Sequence, residues 1–445
     1  MSRRWTPQRV RALVRHTGPT SLIFRRRLAL IGGAVIVGLV ALSFAHIADG
    51  AGHAFDGLVA RYPYAPLAIT PLGFGLIVWI TRKYAPMAAG SGIPQVIAAT
   101  KGTGEAYRRL VDMPTALLKC VLTTGALLVG ASVGREGPTV QISAALLGWT
   151  HRMLQVPMRV SVMIAGGAAG VAAAFNTPLA GITFAIEELA AAYEQRMALL
   201  VITAVIVSGM VTLGLAGNYV YFGGGIDAHL GVESAIPIAL IGGLLGGLSG
   251  GLFARWTLAA ARVNNRFMDA RKRYPVAFAA ACGLLVAVIG VATGLTWGTG
   301  YLPASRLISG EDLPFWLAPA KFLATLATAI SGIPGGIFAP SLATGASFGQ
   351  ILRWIFPGEP ASAVVLMGMV AYFTGVVRAP LTAVIIITET TGARGFMLPL
   401  LGAALIADAS AQMVCKERLY HGLARGFMPD PENRDQSKTA AQPRN

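Results

Sequence analysis

The stretch Gly134-Arg135-Glu136-Gly137-Pro138 sets two charges and a proline inside one of the most apolar parts of the chain. A carboxylate at membrane depth costs about 2.5–3.5 kcal/mol on insertion scales, so such a group marks a functional site by default. The glycines let the backbone bend sharply and approach whatever is bound. Pro138 suits the first turn of a helix, where its missing N–H costs nothing. The stretch predicts a break, then a helix whose N-terminus points into the protein with Glu136 at its tip. A helix N-terminus offers free amides and partial positive charge, which makes it an anion site. Glu136 is an anion built into it. Two other breaks have the same form: Gly90-Ser91-Gly92-Ile93-Pro94 and Gly335-Gly336-Ile337-Phe338-Ala339-Pro340. If the three helix tips converge, they offer many amides and no full positive charge. Each tip contributes a few tenths to about 2 kcal/mol, enough to replace lost hydration without trapping a transported anion. Ser91 adds a hydroxyl. Ile337 and Phe338 offer amides while their side chains exclude water.

Other chemistries fit less well. Gly130-Ala131-Ser132-Val133-Gly134 and Gly247-Leu248-Ser249-Gly250-Gly251 match the G-x-S-x-G of serine hydrolases. That motif works on a sharp strand-to-helix turn, and no strand signal precedes either copy. The six histidines, His16, His46, His53, His151, His229 and His421, lie mostly near segment ends without a triad context. Cys120, Cys282 and Cys415 are too scattered for a disulfide framework or a metal site. No metal or cofactor motif is present. Glu136 has a bland alternative, an ion pair with Arg135 or Lys119. Glu188 could be a helix-end charge beside Glu187.

The elements that must position these groups are membrane helices. Hydrophobic residues make up 54% of the 445, charged residues 13%, and mean hydropathy is +0.62. A soluble domain is nearer a quarter charged. The net charge of +16 sits in runs such as Arg3-Arg4, Arg25-Arg26-Arg27, Arg108-Arg109 and Arg271-Lys272-Arg273. A positive-inside bias and contact with anionic lipid explain these runs better than nucleic acid does. They imply a cytoplasmic N-terminus. Residues 1–27 read as a basic cytoplasmic segment, 28–48 as a retained first helix, and 427–445 as a polar cytoplasmic tail. Pro114–Val133 reads as a span, 99–111 as an interfacial loop. Many later apolar pieces are too short to cross a bilayer. Irregular backbone survives at membrane depth only where protein or a cavity surrounds it, and broken half-helices mark transporter folds.

The chain also repeats itself. Gly130 and Gly332 lie 202 residues apart, as do Gly134 and Gly336, Pro138 and Pro340, Gly166 and Gly368, Pro178 and Pro380, Leu179 and Leu381, and Glu187 and Glu389. This constant offset predicts a duplicated unit, about 28–230 and 235–425 within a membrane domain of 28–426. Whether the copies are parallel or inverted depends on a span count that the short pieces leave open. Glu187 and Glu389, at equivalent positions, read as structural.

GSGIP, GREGP and GGIFAP, in this order and spacing, resemble the CLC family of chloride channels and proton/chloride exchangers, over about residues 30–426. Ala172–Glu188, Val377–Thr390 and Leu419-Tyr420 extend the resemblance. It implies an all-α, multi-pass inverted repeat of many tilted, partly broken helices. It further implies a homodimer with one anion path per subunit, in a bacterial-type inner membrane with both termini cytoplasmic. Ser91, the amides of Ile337 and Phe338, and the Tyr420 hydroxyl would hold the anion. Glu136 would be gate and outer proton carrier, Glu188 the inner one. The transported ions would be chloride and protons, with no cofactor, metal or catalytic residue. Within the family a carboxylate at Glu188 favours exchange over an uncoupled voltage- or pH-gated chloride channel of the same fold, and Ser91 favours chloride over the fluoride handled by some relatives. Gln95 stands where a glutamate is common after GSGIP. The chain stops at Asn445, too soon for the paired regulatory domains of many relatives.

Overall fold

The computed structural model describes residues 19–102, 108–190, 195–217, 220–223, 230–262 and 271–428. Arg3-Arg4, His16, His229, the first part of the basic N-terminal segment and the tail from 429 lie outside the described residues. The first run of helices is α1 (Pro19–Arg61), α2 (Pro66–Tyr84), α3 (Ile93–Lys101), α4 (Met113–Leu128), α5 (Glu136–Met153), α6 (Val160–Phe175), α7 (Pro178–Phe184) and α8 (Gln195–Ala216). A π-helical turn over Ala185–Leu189 continues α7. The second run is α9 (Val232–Ala261), α10 (Pro275–Thr293), α11 (Tyr301–Ile308), α12 (Leu317–Ser331), α13 (Phe338–Ile355), α14 (Ala361–Val377), α15 (Pro380–Thr391) and α16 (Met397–Val414), followed by α17 (Leu419–Arg425).

Among the described residues, five stretches are long and apolar enough to cross a bilayer: Leu22–Arg61, Met197–Ala216, Val232–Ala261, Pro275–Thr293 and Met397–Val414. Helices α4, α6, α12, α14 and α15 are apolar but have 10–17 residues. At 1.5 Å per residue they reach about 25 Å at most, short of a hydrocarbon core of about 30 Å. They are too short to span it alone, and several of their ends, such as Phe175, Ser331 and Thr391, are buried in protein.

The two runs are an inverted repeat, and its symmetry is written in hydrogen bonds. The amide of Gly134 donates to the carbonyl of Gly336 at 2.7 Å, and Gly336 donates back to Gly134 at 2.7 Å. Glu187 accepts from the amides of Leu381 at 3.1 Å and Thr382 at 2.6 Å, capping α15. Glu389 accepts from Leu179 at 3.2 Å and Ala180 at 2.8 Å, capping α7. Each half supplies the anion that satisfies the other half's orphan amides, the swap a two-fold axis requires. Pro178 and Pro380 open the capped helices, as the common offset predicts. The offset extends to pairs not foreseen. Asn176 ends α6 and Arg378 ends α14, both left-handed, at φ 57° and 63°. Lys119 and Lys321 are both fully buried.

Several boundaries depart from expectation. The first helix covers Pro19–Arg61 rather than 28–48; no proline interrupts it before Pro63. The basic segment is thus helical from Pro19 onward. The span expected to reach Val133 ends at Leu128, and Gly130 turns with φ 80°. Helix α3 runs through Lys101 into the expected loop, and α11 was not foreseen.

Helix α9 packs on α14 and α16 through small residues. A Cβ on Gly250 would lie 2.5 Å from the Tyr372 carbonyl oxygen, so only glycine lets these backbones approach. Ser249 lies within α9 and donates to the Leu245 carbonyl at 2.8 Å. Ser132 is buried against Thr325 at 2.9 Å. Neither serine sits on a strand-to-helix turn or is bonded to a histidine, so the hydrolase reading has no structural support.

Replacing Glu389 by Gln removes the charge and one acceptor from the α7 cap. It is expected to destabilise the protein by about 1–2 kcal/mol, with Glu187→Gln acting in the same direction. Thermal unfolding of purified variants checks this. Unchanged midpoints would mean that the reciprocal caps do not stabilise the fold.

Candidate anion site

The three Gly/Pro breaks meet. The Gly90 amide donates to the Ile333 carbonyl at 3.2 Å, and the Gly335 amide to the Gly90 carbonyl at 3.1 Å. The Gly134–Gly336 pair ties the second break to the third. A Cβ on Gly137 would lie 2.5 Å from both the carbonyl and hydroxyl oxygens of Ser91, so the first break also touches the second. The tips of α3, α5 and α13 therefore start from one buried cluster, where the first turn of a helix leaves amides without intrahelical partners.

Gln95 shows how the first tip is held. Its Oε1 accepts from the Gly92 amide at 3.0 Å. Its Nε2 donates to the carbonyls of Ala89 at 2.7 Å and Met87 at 3.1 Å. A carboxylate here could accept but not donate, so the neutral amide is what this loop needs. Gly92, at φ 113°, permits the turn.

Glu136 is 1% exposed. A Cβ on Gly134 would overlap Oε2 of Glu136 and lie 3.1 Å from Pro340 Cδ and 3.3 Å from Ala339 Cβ, so the carboxyl folds back against the start of α13. The Ala339 amide acts on it there, yet neither oxygen reaches full hydrogen-bond geometry. The ion-pair alternatives fail among the described residues. Arg135 turns away toward α1, donating to the Ala45 carbonyl at 2.6 Å and pairing with Asp49 at 2.5 Å. Lys119 is buried without a hydrogen-bond partner. Its repeat mate Lys321 spends its charge on the carbonyls of Thr296 and Gly298, both at 2.9 Å.

The hydroxyls of Ser91 and Tyr420 are also buried without full hydrogen bonds. They lie near enough to interact, and the Tyr420 hydroxyl also feels the charges of Glu136 and Glu188. An orphaned buried polar group costs about 1–3 kcal/mol. Several of them gathered where helix tips converge fit an anion that the apolar walls cannot supply. Ile337 precedes α13 and is 6% exposed. The Phe338 ring packs on Phe373, Phe175 and Phe184 at centroid distances of 4.5, 5.5 and 6.2 Å. Together they wall the cluster off from water.

Glu188 lies on the π-helical turn after α7 and is fully buried. That turn widens the backbone by one residue. Glu187 then reaches α15 while Glu188 points the other way, so it is not a water-facing helix-end charge. Its Oε1 is 3.1 Å from Nδ1 of His421, and its Oε2 has no partner. Sequence reasoning missed His421. The available signal was its place next to Tyr420, which sends consecutive side chains about 100° apart around a helix.

Broken helices meeting tip to tip at a buried polar cluster, within an inverted repeat, define an ion-transport class of membrane fold. The sequence profile of the voltage gated chloride channel family matches residues 72–412, and the chain belongs to this CLC family. The H(+)/Cl(-) exchange transporter ClcA of Citrobacter koseri is 30% identical over 92% of this chain and 89% of its own length. The protein of the same name from Salmonella agona is likewise 30% identical, with the same coverage of both chains. A slow cyanobacterial Cl-/H+ antiporter has TM-score 0.76 at 24% identity, covering 94% of this chain and 99% of its own. A CLC-type fluoride/proton antiporter has TM-score 0.76 at 21% identity, covering 92% and 99%. These structures share the fold.

Gln95→Glu leaves the Met87 and Ala89 carbonyls without their donor. It is expected to destabilise the protein by about 1–3 kcal/mol and to lower anion flux through a loosened first tip. Thermal unfolding and liposome flux measure both. Wild-type behaviour in each would show that the amide's donor role is dispensable.

Proposed function

We propose that this protein is a proton-coupled chloride exchanger, a secondary active transporter and not an enzyme. The observation behind this reading is the Glu136 carboxyl, fully buried, without an ion pair among the described residues, and folded against the tip of α13 beside Ser91 and Tyr420. The anion rests between Ser91, the amides of Ile337 and Phe338, and the Tyr420 hydroxyl. Ionised Glu136 competes for the same field of helix-tip dipoles and closes the outer path. Protonated, it is no longer attracted to the tip; it swings out, admits chloride and releases its proton. One side chain thus couples two ions by mutual exclusion. Glu188 supplies protons from the inner side. No cofactor takes part beyond the transported ions.

The rest of the assembly follows the same reading. The exchanger is a homodimer in a lipid bilayer, the cell inner membrane, with one anion path per subunit and both termini cytoplasmic. An uncoupled chloride channel of the same fold is the rival. The buried Glu188 carboxyl, joined to a half-exposed His421, favours exchange, because a channel has no need of an inner carboxyl. Ser91 favours chloride over fluoride.

The decisive experiment is chloride-driven proton uptake into liposomes containing the purified protein. Glu136→Gln is expected to abolish proton uptake while chloride still moves; surviving proton uptake would remove Glu136 from the gate. Glu188→Gln is expected to cut proton flux with the anion path intact. In voltage measurements, an exchanger's reversal potential shifts with a pH gradient and an ideal channel's does not. Gly134→Ala offers a separate check, because the new methyl overlaps the flexible end of Glu136 and meets Pro340 Cδ and Ala339 Cβ more loosely, at 3.1 and 3.3 Å. It is expected to push the carboxyl outward and raise chloride flux per proton; unchanged coupling would count against the seat described for Glu136.

A further inference from the structure

Glu188 is sealed from water, yet a proton carrier on the inner side must be loaded. Its side chain is 0% exposed, while that of His421 is 28% exposed and touches it, Nδ1 to Oε1 at 3.1 Å. Among the described residues, no other side chain is hydrogen-bonded to either oxygen of Glu188. Among the described residues His421 shows no other side-chain hydrogen bond, and its partly exposed side chain offers the ring a route to solvent. We propose that His421 is the loading residue for Glu188, the group through which protons from bulk water enter the inner half of the path. This rests on Glu188 being the inner proton carrier and adds the step before it.

The local fold is built to hold the pair. Helix α17 starts at Leu419, and Tyr420 and His421 occupy its first turn. Arg418 donates to the Glu187 carbonyl at 3.0 Å, pinning the start of α17 to the π-helical turn. Tyr420 then projects into the anion cluster at 0% exposure, and His421, a step further round, meets Glu188. One short helix thus presents an anion ligand and a titratable ring side by side. The step itself balances simply. Hydronium protonates Nε2 of the neutral ring to give imidazolium and leaves water. The Nδ1 proton passes to Oε1 of the Glu188 carboxylate, leaving a neutral ring and a neutral carboxyl. The ring resets by turning its Nδ1 edge to water, where Nε2 gives up its proton and Nδ1 takes one. Histidine is the side chain whose ordinary range allows both directions near neutrality.

The charged neighbours are mostly engaged elsewhere. Glu417 pairs with Arg262, just after α9, and with Arg425 of α17 itself. Arg378, after α14, pairs with Asp408 at 3.0 Å. Lys101 ends α3, and Arg255 and Lys416 line a cavity beside the α9 end with Arg262 and Glu417. The pH dependence is therefore read against variants of His421, not against wild type alone.

The test uses full-length protein in liposomes, with chloride flux and chloride-driven proton flux measured across the range in which histidine titrates. His421→Gln keeps an uncharged hydrogen bond to Glu188. It is expected to leave chloride flux within about twofold and to cut proton flux at least about tenfold, with the pH dependence flattened. His421→Ala is expected to lose proton flux and regain it when imidazole is added, which a structural role does not predict. His421→Gln with wild-type proton flux and pH profile overturns the proposal. So does joint loss of chloride and proton flux in both variants without imidazole rescue, which would make the ring a packing element. Glu188→Gln separates the two levels. Retained coupling there removes Glu188 itself, whereas lost coupling there with normal His421 variants removes only the histidine.

Discussion

A lipid interior cannot hydrogen-bond a helix end, and this requirement governs the molecule. Every half-span leaves amides or carbonyls at membrane depth, each costly when orphaned. The chain meets the requirement by making the breaks satisfy one another. Gly134 and Gly336 exchange amides and carbonyls across the repeat, and Gly90 bonds with Ile333 and Gly335. Glu187 and Glu389 cap each other's helices, and Gln95 closes its own loop. Polar groups left unsatisfied after this accounting include those at the site: Ser91 Oγ, Tyr420 Oη and both oxygens of Glu136. The proposed anion site is among the places where the fold leaves this accounting open.

The same logic explains why full cations are kept from direct contact with Glu136. An arginine on the ion would bind it too firmly for turnover, since a desolvated charge pair is far stronger than a helix-tip dipole. Arg135 is adjacent in sequence, but its guanidinium is committed to Asp49 and the Ala45 carbonyl on α1. Lys321 is committed to carbonyls of the loop before α11. In the exchange proposed above, the site offers a soft field of dipoles for which a single carboxyl competes with the halide.

Much of this was legible in the chain because backbone conformation is dictated locally. Breaks that need glycine and proline announce themselves, and a constant offset of 202 between Gly134 and Gly336, or Glu187 and Glu389, exposes the duplication. The same offset holds Lys119 and Lys321, overlooked because neither sits in a motif. The unread features depend on side chains meeting across long separations. Glu188 and His421 are 233 residues apart, and no local pattern joins them. Gln95 looked like a departure from the expected acid until its two donor bonds showed why an amide is required there. The full length of α1 was missed because its later turns are only weakly apolar, while the absence of proline before Pro63 was the better guide.

The reciprocal caps also bear on how the chain is made. Leu179 and Ala180 leave the ribosome 210 and 209 residues ahead of the acid that caps them, and Glu187 waits 195 residues for Thr382. During that interval the leading half holds an uncapped helix end and an unclaimed carboxylate within the nascent membrane assembly. Maturation of the leading half therefore cannot finish on its own; biogenesis must shelter an incomplete half until its twin arrives.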